Sequence, residues 1–462
     1  MFDASTYVQR RAQLRQRVGS GLILFLGNPE LPMYYAANTF HFRQDSSFLY
    51  FWGLDDPDLA AVIDADDHTE TVFGDDFTVD DIVWRGPQPT VAERAAKAGV
   101  TCTAPRATLV GKLSQAIRQG RRIHFLPQYV AENRITLERL LGIRAEVIND
   151  HASGALIQAV VAQRAIKSAE EVREIEAALD TCYEMHTLAM KLARPGVYER
   201  EVAGAIEGVV ASRGVRLAFP VIFSIHGETL HNHCHDNLMQ AGQMAVNDSG
   251  AESARHYAGD ITRTIPIGGT FVGPQRDLYL SVLNAQRKAI AAVRPGVKFK
   301  DVHLLAGRCL LSDLKDLGCV TGNLDDAVAA GVQGLFFQCG LGHMMGLDVH
   351  DMEGLGEQHV GYDETVERST QFGLKSLRMA RALQPGFVMT VEPGLYFIPQ
   401  LIDRWRAEGR FTEFVNWDVV ERFRAFGGIR VEDDVLVTET GCRVLGRPIP
   451  IDIDDVERLA AG

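Results

Sequence analysis

The chain has 462 residues, more than one hydrophobic core usually supports, so two domains are the first expectation. Its composition, 46% hydrophobic and 23% charged, is that of an ordinary globular protein, and a net charge of −13 argues against a nucleic-acid partner, which would need a basic face. No apolar run is long enough to span a bilayer and the first residues show no secretory leader, so a cytoplasmic protein with no membrane partner is expected.

Residues 1–150 read as an α/β domain. A helix is expected over residues 7–18. The apolar runs LILFLG (22–27), FLYFWG (48–53) and LAAVID (59–64), set apart by Gly, Pro and Asp clusters, are expected as strands. A helix over about 109–118 then leads into a further strand at RIHFLP (122–127). From about residue 151 to 462 the texture changes to long helical periodicity. Ser168 with Glu171 forms a capping box that opens a helix running to about Leu192. That helix ends at RPGV (194–197) and another follows. One hundred residues later a helix over 276–293 ends at a second RPGV (294–297), and again a helix follows, to about 317. Pro-Gly after a helix is ordinary stop chemistry. Matched helix, stop and helix, each time followed by Gly-rich strand-like sequence, nevertheless point to an internal duplication: two similar α+β lobes with a site between them.

Four motifs carry chemistry. In NDSGAESARHYAGDITRT (247–264), Asp248 and Asp260 lie twelve positions apart, and the β-branched alternation of DITRT suggests adjacent strands that bring both carboxylates to one point; two turn aspartates are the alternative. In GLGHMMGLDVHD (340–351), His343 and His350 share a Gly-rich segment with Asp348 and Asp351, the glycines permitting close backbone approach to something bound. In VMTVEPGLYF (388–397) and GGIRVEDDVLV (427–437), Glu392 and Glu432 interrupt apolar runs, which is costly unless they are paired or bound to a cation. For Glu432 an ion pair with Arg430, two residues earlier on the same strand face, is the alternative. Four carboxylates and one imidazole suit a hard or borderline ion, manganese first, with cobalt or zinc as alternatives. They carry more charge than one divalent ion balances, so two ions fit better, and such pairs activate water for hydrolysis. The seven cysteines contain no CxxC pair and are expected as reduced, mostly buried thiols rather than ligands.

In this order the motifs resemble the aminopeptidase P and prolidase branch of the pita-bread (M24B) metallopeptidases. FRQDSSFLYFWGLDDPDLAAVID (42–64) is similar to that branch's N-terminal domain, and residues 373–398 and 426–438 are similar to eukaryotic-type prolidases. The resemblance implies an N-terminal α/β domain (1–150) and an α+β pita-bread catalytic domain (151–462), internally duplicated with a pseudo-two-fold axis. It places the metal ligands on Asp248, Asp260, His343, Glu392 and Glu432, with Arg430 behind them, and further catalytic histidines on His231, in TLHNHCHD (229–236), and His350. Asn232 stands where the family usually has an aromatic residue, and the extra His233 and His235 remain alternatives to His231 as proton shuttle. Glu392 is implied to take and relay a proton, His350 to stabilise the oxyanion, and His231 to hold the substrate carbonyl or the leaving proline. Arg378, in KSLRMAR, resembles the prolidase arginine that forks onto a dipeptide carboxylate; a surface arginine is the alternative. The implied reaction is hydrolysis of the Xaa-Pro bond in small peptides with proline in second position, releasing the N-terminal residue and acting also on dipeptides. A strict Xaa-Pro dipeptidase and a non-catalytic pita-bread binding protein are the alternatives, and a homodimer is implied.

Overall fold

The computed structural model describes all 462 residues, in two compact units. The first comprises Met1–Arg164 with Met352–His359, the second Ala165–Asp351 with Val360–Gly462. The first unit therefore runs past the expected boundary near residue 150 and takes in the helix Gly154–Arg164, which packs on the opening helix Ala4–Val18.

The first unit is built on a five-stranded sheet in the order Thr103–Ala104, Thr69–Phe73, Ala60–Asp64, Leu22–Leu26, Ile123–His124. Its inner pairs are antiparallel and both edge pairs parallel. Leu24, Leu26 and Val62 of the sheet share a core with Leu113 and Ala116 of the helix Leu109–Arg118. The run FLYFWG is not a strand but the helix Ser46–Trp52. A continuous apolar run carries no period to distinguish the two, and here the ends decide: the Phe48 N–H donates to Asp45 Oδ1 at 2.8 Å, and Gly53 caps the other end at φ +62°.

In the second unit the capping box of Ser168 and Glu171 forms as expected, opening the helix Ala169–Leu192. It pairs with Glu199–Ser212, and Gln275–Ala292 pairs with Phe299–Asp316. The two RPGV turns are held by the same bonds. Gly196 N–H donates to the Met239 carbonyl, and Met239 N–H returns to that of Val197; Gly296 N–H donates to the Leu383 carbonyl, and Leu383 N–H returns to that of Val297. Glu199 N–H to Asn237 has its counterpart in Phe299 N–H to Arg381. Each helix pair is followed by an antiparallel sheet: Ile222–Ser224, Met244–Ser249 and Ile261–Pro266 in the first half, and Val388–Val391, Asp433–Val437 and Cys442–Val444 in the second. A bridge between Thr262 and Glu432 joins the halves.

All seven cysteines are free; Cys182, Cys309 and Cys319 are buried, whereas Cys102 and Cys234 are exposed, so the thiols are less uniformly buried than expected. No helix is long and apolar enough to cross a membrane.

Candidate metal centre

Asp248 lies in Met244–Ser249 directly opposite Thr262 of Ile261–Pro266, and Asp260 precedes that strand by one residue. Residues two apart share a strand face, so Asp260 and Thr262 point the same way as Asp248. Glu432 joins them through the Thr262 bridge. His343 is held across from Val388–Val391: Thr390 N–H donates to its carbonyl at 3.0 Å, and its own N–H donates to Thr390 Oγ1 at 3.1 Å. Glu392 N–H donates to the Leu341 carbonyl at 2.8 Å. The glycine before His343 serves this approach, because a Cβ on Gly342 would lie 2.0 Å from the Thr390 carbonyl oxygen. The close contact that requires glycine here is thus with a neighbouring strand rather than with a bound molecule.

One pocket is lined by all five acidic and imidazole candidates and by His231, His350, Arg378 and Arg430. The ligand atoms of Asp260, His343 and Glu432 lie within 4.8 Å of one another. His343 Nε2 is 3.5 Å from Asp260 Oδ2 and 3.6 Å from Glu392 Oε1. Its Nδ1 lies 3.1 Å from the Met344 carbonyl, an acceptor only, a contact that suits an Nδ1–H tautomer with Nε2 turned to the carboxylates. The His343 and His350 rings are 4.1 Å apart. Arg430 does not pair with Glu432. Its Nη2 donates to Asp248 Oδ2 at 2.6 Å, its Nη1 to the Tyr396 hydroxyl at 2.8 Å and its Nε to Thr262 Oγ1 at 3.2 Å. Arg378 is half-buried on the pocket wall rather than out on the surface. His233 also lines the pocket, whereas the His235 Nε2 lies 3.1 Å from the Val221 carbonyl.

These groups fit divalent cations. Asp260 Oδ1 and Glu432 Oε1 are buried without a hydrogen-bond partner, a costly state for carboxylates that ions would relieve. Burial, then repulsion from Asp248, raises the Asp260 carboxyl well above its usual range, and burial with repulsion from Asp260, Glu392 and Asp248 does the same to Glu432. Burial first, then Asp260 and Asp248 against the opposing Arg430, raises Glu392 to about 8. Partial burial and Arg430 lower the His231 imidazole, favouring its neutral form. Burial pushes the Cys339 thiol, also on the pocket wall, up to about 12, so it stays protonated.

Three supporting residues escape a reading based on charge in apolar runs. Thr262 donates its hydroxyl to Glu432 Oε2 at 2.6 Å, Asp434 Oδ2 accepts the Asp260 N–H at 3.2 Å, and Tyr396 receives Arg430. Thr262 and Asp434 stand two residues beyond Asp260 and Glu432, the same-face spacing that could have flagged them.

Residues 173–439, more than half of the chain, match metallopeptidase family M24. The chain belongs to this family. Residues 7–124 match the N-terminal domain of aminopeptidase P. Among relatives, human Xaa-Pro dipeptidase is 32% identical over 464 residues, spanning 98% of this chain and 91% of that protein. A probable Xaa-Pro aminopeptidase of Aspergillus fumigatus is 31% identical, spanning 91% and 88%. Among solved structures, Escherichia coli aminopeptidase P with the inhibitor Pro-Leu is similar at a TM-score of 0.80 and 27% identity, covering 100% of this chain and 98% of that one. The M24 chain is therefore a metallopeptidase that works with divalent metal ions, an aminopeptidase P-type N-terminal domain preceding its pita-bread catalytic domain.

Proposed function

We propose that this M24 enzyme is a dinuclear-metal peptidase that hydrolyses the bond before a proline in second position, releasing the N-terminal residue from short peptides and from dipeptides. The observation that carries the reading is the convergence of Asp248, Asp260, His343, Glu392 and Glu432 with His231, His350 and Arg378 on a single pocket. The five carboxylate and imidazole residues would hold two ions, manganese by preference, given four oxygen-donor side chains to one nitrogen. When bound, the ions would supply an acidified water and a polarised scissile carbonyl.

The remaining chemistry belongs to the side chains. Proline has no N–H for an extended-strand contact and forms a tertiary amide, so its nitrogen must be protonated as it leaves. Glu392, which lines the pocket beside His343, would take the attacking water's proton and relay it. His350 donates to the oxyanion, and His231 holds the substrate carbonyl or the leaving proline. Arg378 lines the pocket wall, which supports a role in forking onto a carboxylate at the proline end and so supports action on dipeptides. It also favours a second reading, a strict Xaa-Pro dipeptidase, as the human relative is named.

Turnover of an Xaa-Pro dipeptide against an Xaa-Pro-Xaa tripeptide, with manganese present, separates the two. Release of the first residue from both supports the broader activity, and an untouched tripeptide selects the strict dipeptidase. Inertness toward both, with ions bound, rejects the Xaa-Pro reading altogether. We further infer a homodimer. The helix Val79–Arg85 buries none of its residues, and Trp84 is 86% exposed and Val83 72%, as is 78% of Tyr34 in the same unit, which is unusual for apolar side chains left in water. Sedimentation equilibrium should give twice the chain mass of 50.9 kDa, and a monomer would reject the inference.

A further inference from the structure

His350 stands on a segment that is neither helix nor strand over residues 345–350. The residue after it is tied down firmly. Asp351 Oδ2 lies 2.8 Å from Lys167 Nζ, and both side chains are 1% exposed. Lys167 is itself anchored, since its N–H donates to the Gly386 carbonyl at 2.8 Å and it immediately precedes the N-cap Ser168 of the long helix.

From Asp351 the connections run to the pocket. Its N–H donates to the Met344 carbonyl at 2.8 Å, the same oxygen that faces His343 Nδ1 at 3.1 Å. A Cβ on Gly346 would stand 2.5 Å from Asp351 Oδ2, so the carboxylate packs directly on that backbone. The Gly346 carbonyl in turn accepts the N–H of Ala258, two residues before Asp260. One buried carboxylate thus adjoins His350 in sequence and, through Met344 and Gly346, reaches the backbone around His343 and Asp260.

A buried ion pair is weak evidence of a stability role, because apolar replacements of similar volume are often neutral or stabilising. Its placement here calls for a geometric explanation. We propose that Lys167 is a positioning residue: through Asp351 it holds the 343–351 loop so that His350 faces the reacting carbonyl. Lys167 touches no substrate, and only the kinetic part of its test rests on the Xaa-Pro reading.

The test compares wild type with Lys167→Arg, Lys167→Met and the double variant Lys167→Met/Asp351→Asn, all loaded with manganese. The double variant removes both charges, so it remains informative if Lys167→Met alone, with a buried carboxylate stranded, does not fold. Bound metal per chain, kcat and KM on an Xaa-Pro dipeptide, and amide hydrogen exchange across residues 343–351 are measured. The double variant should bind metal as wild type does, lose about tenfold or more in kcat from a displaced His350 with KM changed much less, and exchange faster in 343–351 but not in Met244–Ser249. Lys167→Arg should recover much of the loss. Wild-type kcat with an unchanged loop in the double variant overturns the proposal, as does a loss of kcat that merely follows a loss of metal. A wild type that cleaves no Xaa-Pro peptide, with the loop still loosened in the variant, defeats the functional reading and leaves the positioning role standing.

Discussion

Thr262 shows how much one uncharged side chain decides. Its hydroxyl donates to Glu432 Oε2 at 2.6 Å and accepts from Arg430 Nε at 3.2 Å, which fixes the carboxylate and leaves Oε1 without a protein partner. Thr262→Val keeps the shape and removes the bond. It should weaken manganese binding about ten- to a hundred-fold, measured by titrating metal-free protein, while Thr262→Ser retains most of the affinity. At Glu392 the expectation differs: Glu392→Gln should keep the fold but, with metal present, lose roughly 10²–10⁴ in kcat, since a carboxamide cannot take the proton; a fully active variant would remove Glu392 from the mechanism. The acidic candidates were legible in the sequence because a charge inside an apolar run is anomalous. Thr262 and Tyr396 were not, because threonine and tyrosine are ordinary strand residues and only their partners mark them out.

At the scale of elements, the strand around Thr390 and the loop bearing His343 approach so closely that Gly342 has no room for a side chain. The clash would be with backbone, which cannot swing aside. Gly342→Ala should therefore cost about 1–3 kcal/mol in denaturant unfolding, and a neutral substitution would mean that the loop adjusts freely. The helices of the second unit were legible because their signals are local: a capping box at Ser168 and Pro-Gly stops after each long helix. The run at residues 48–53 was misread because its helical identity lies in the Asp45 and Gly53 caps, outside the apolar letters themselves. The duplication was visible as a repeated phrase, but the matching hydrogen bonds to Met239 and Leu383 depend on segments far along the chain that share no such phrase.

For the molecule as a whole, the crowded carboxylates make stability depend on pH and metal together. Burial and the neighbouring Asp260 and Asp248 raise Glu392 from its ordinary 4.5 to about 8, and Asp260 and Glu432 shift the same way. The folded metal-free protein therefore keeps a proton that the unfolded chain releases. This contribution is fully present below pH 4.5 and is lost as pH rises through about 8. Metal-free protein should accordingly melt at a lower temperature at pH 9 than at pH 6. Manganese should flatten or reverse the trend by taking the place of the protons, and a melting temperature of the metal-free form that does not fall over this range would contradict the proposed crowding.

The bridge between Thr262 and Glu432 marks a seam, and the proposed ligands are divided across it. Asp248 and Asp260 come from one half of the duplication, and His343, Glu392 and Glu432 from the other. Neither half has a full set, so each ion held by these residues would act as a rivet whose binding energy keeps the halves together. At a free metal concentration a hundred times the dissociation constant, that is about 2.7 kcal/mol per ion. Chelated enzyme should open along this seam first and be nicked there by proteases, so that metal supply governs how long the protein survives as well as how fast it works.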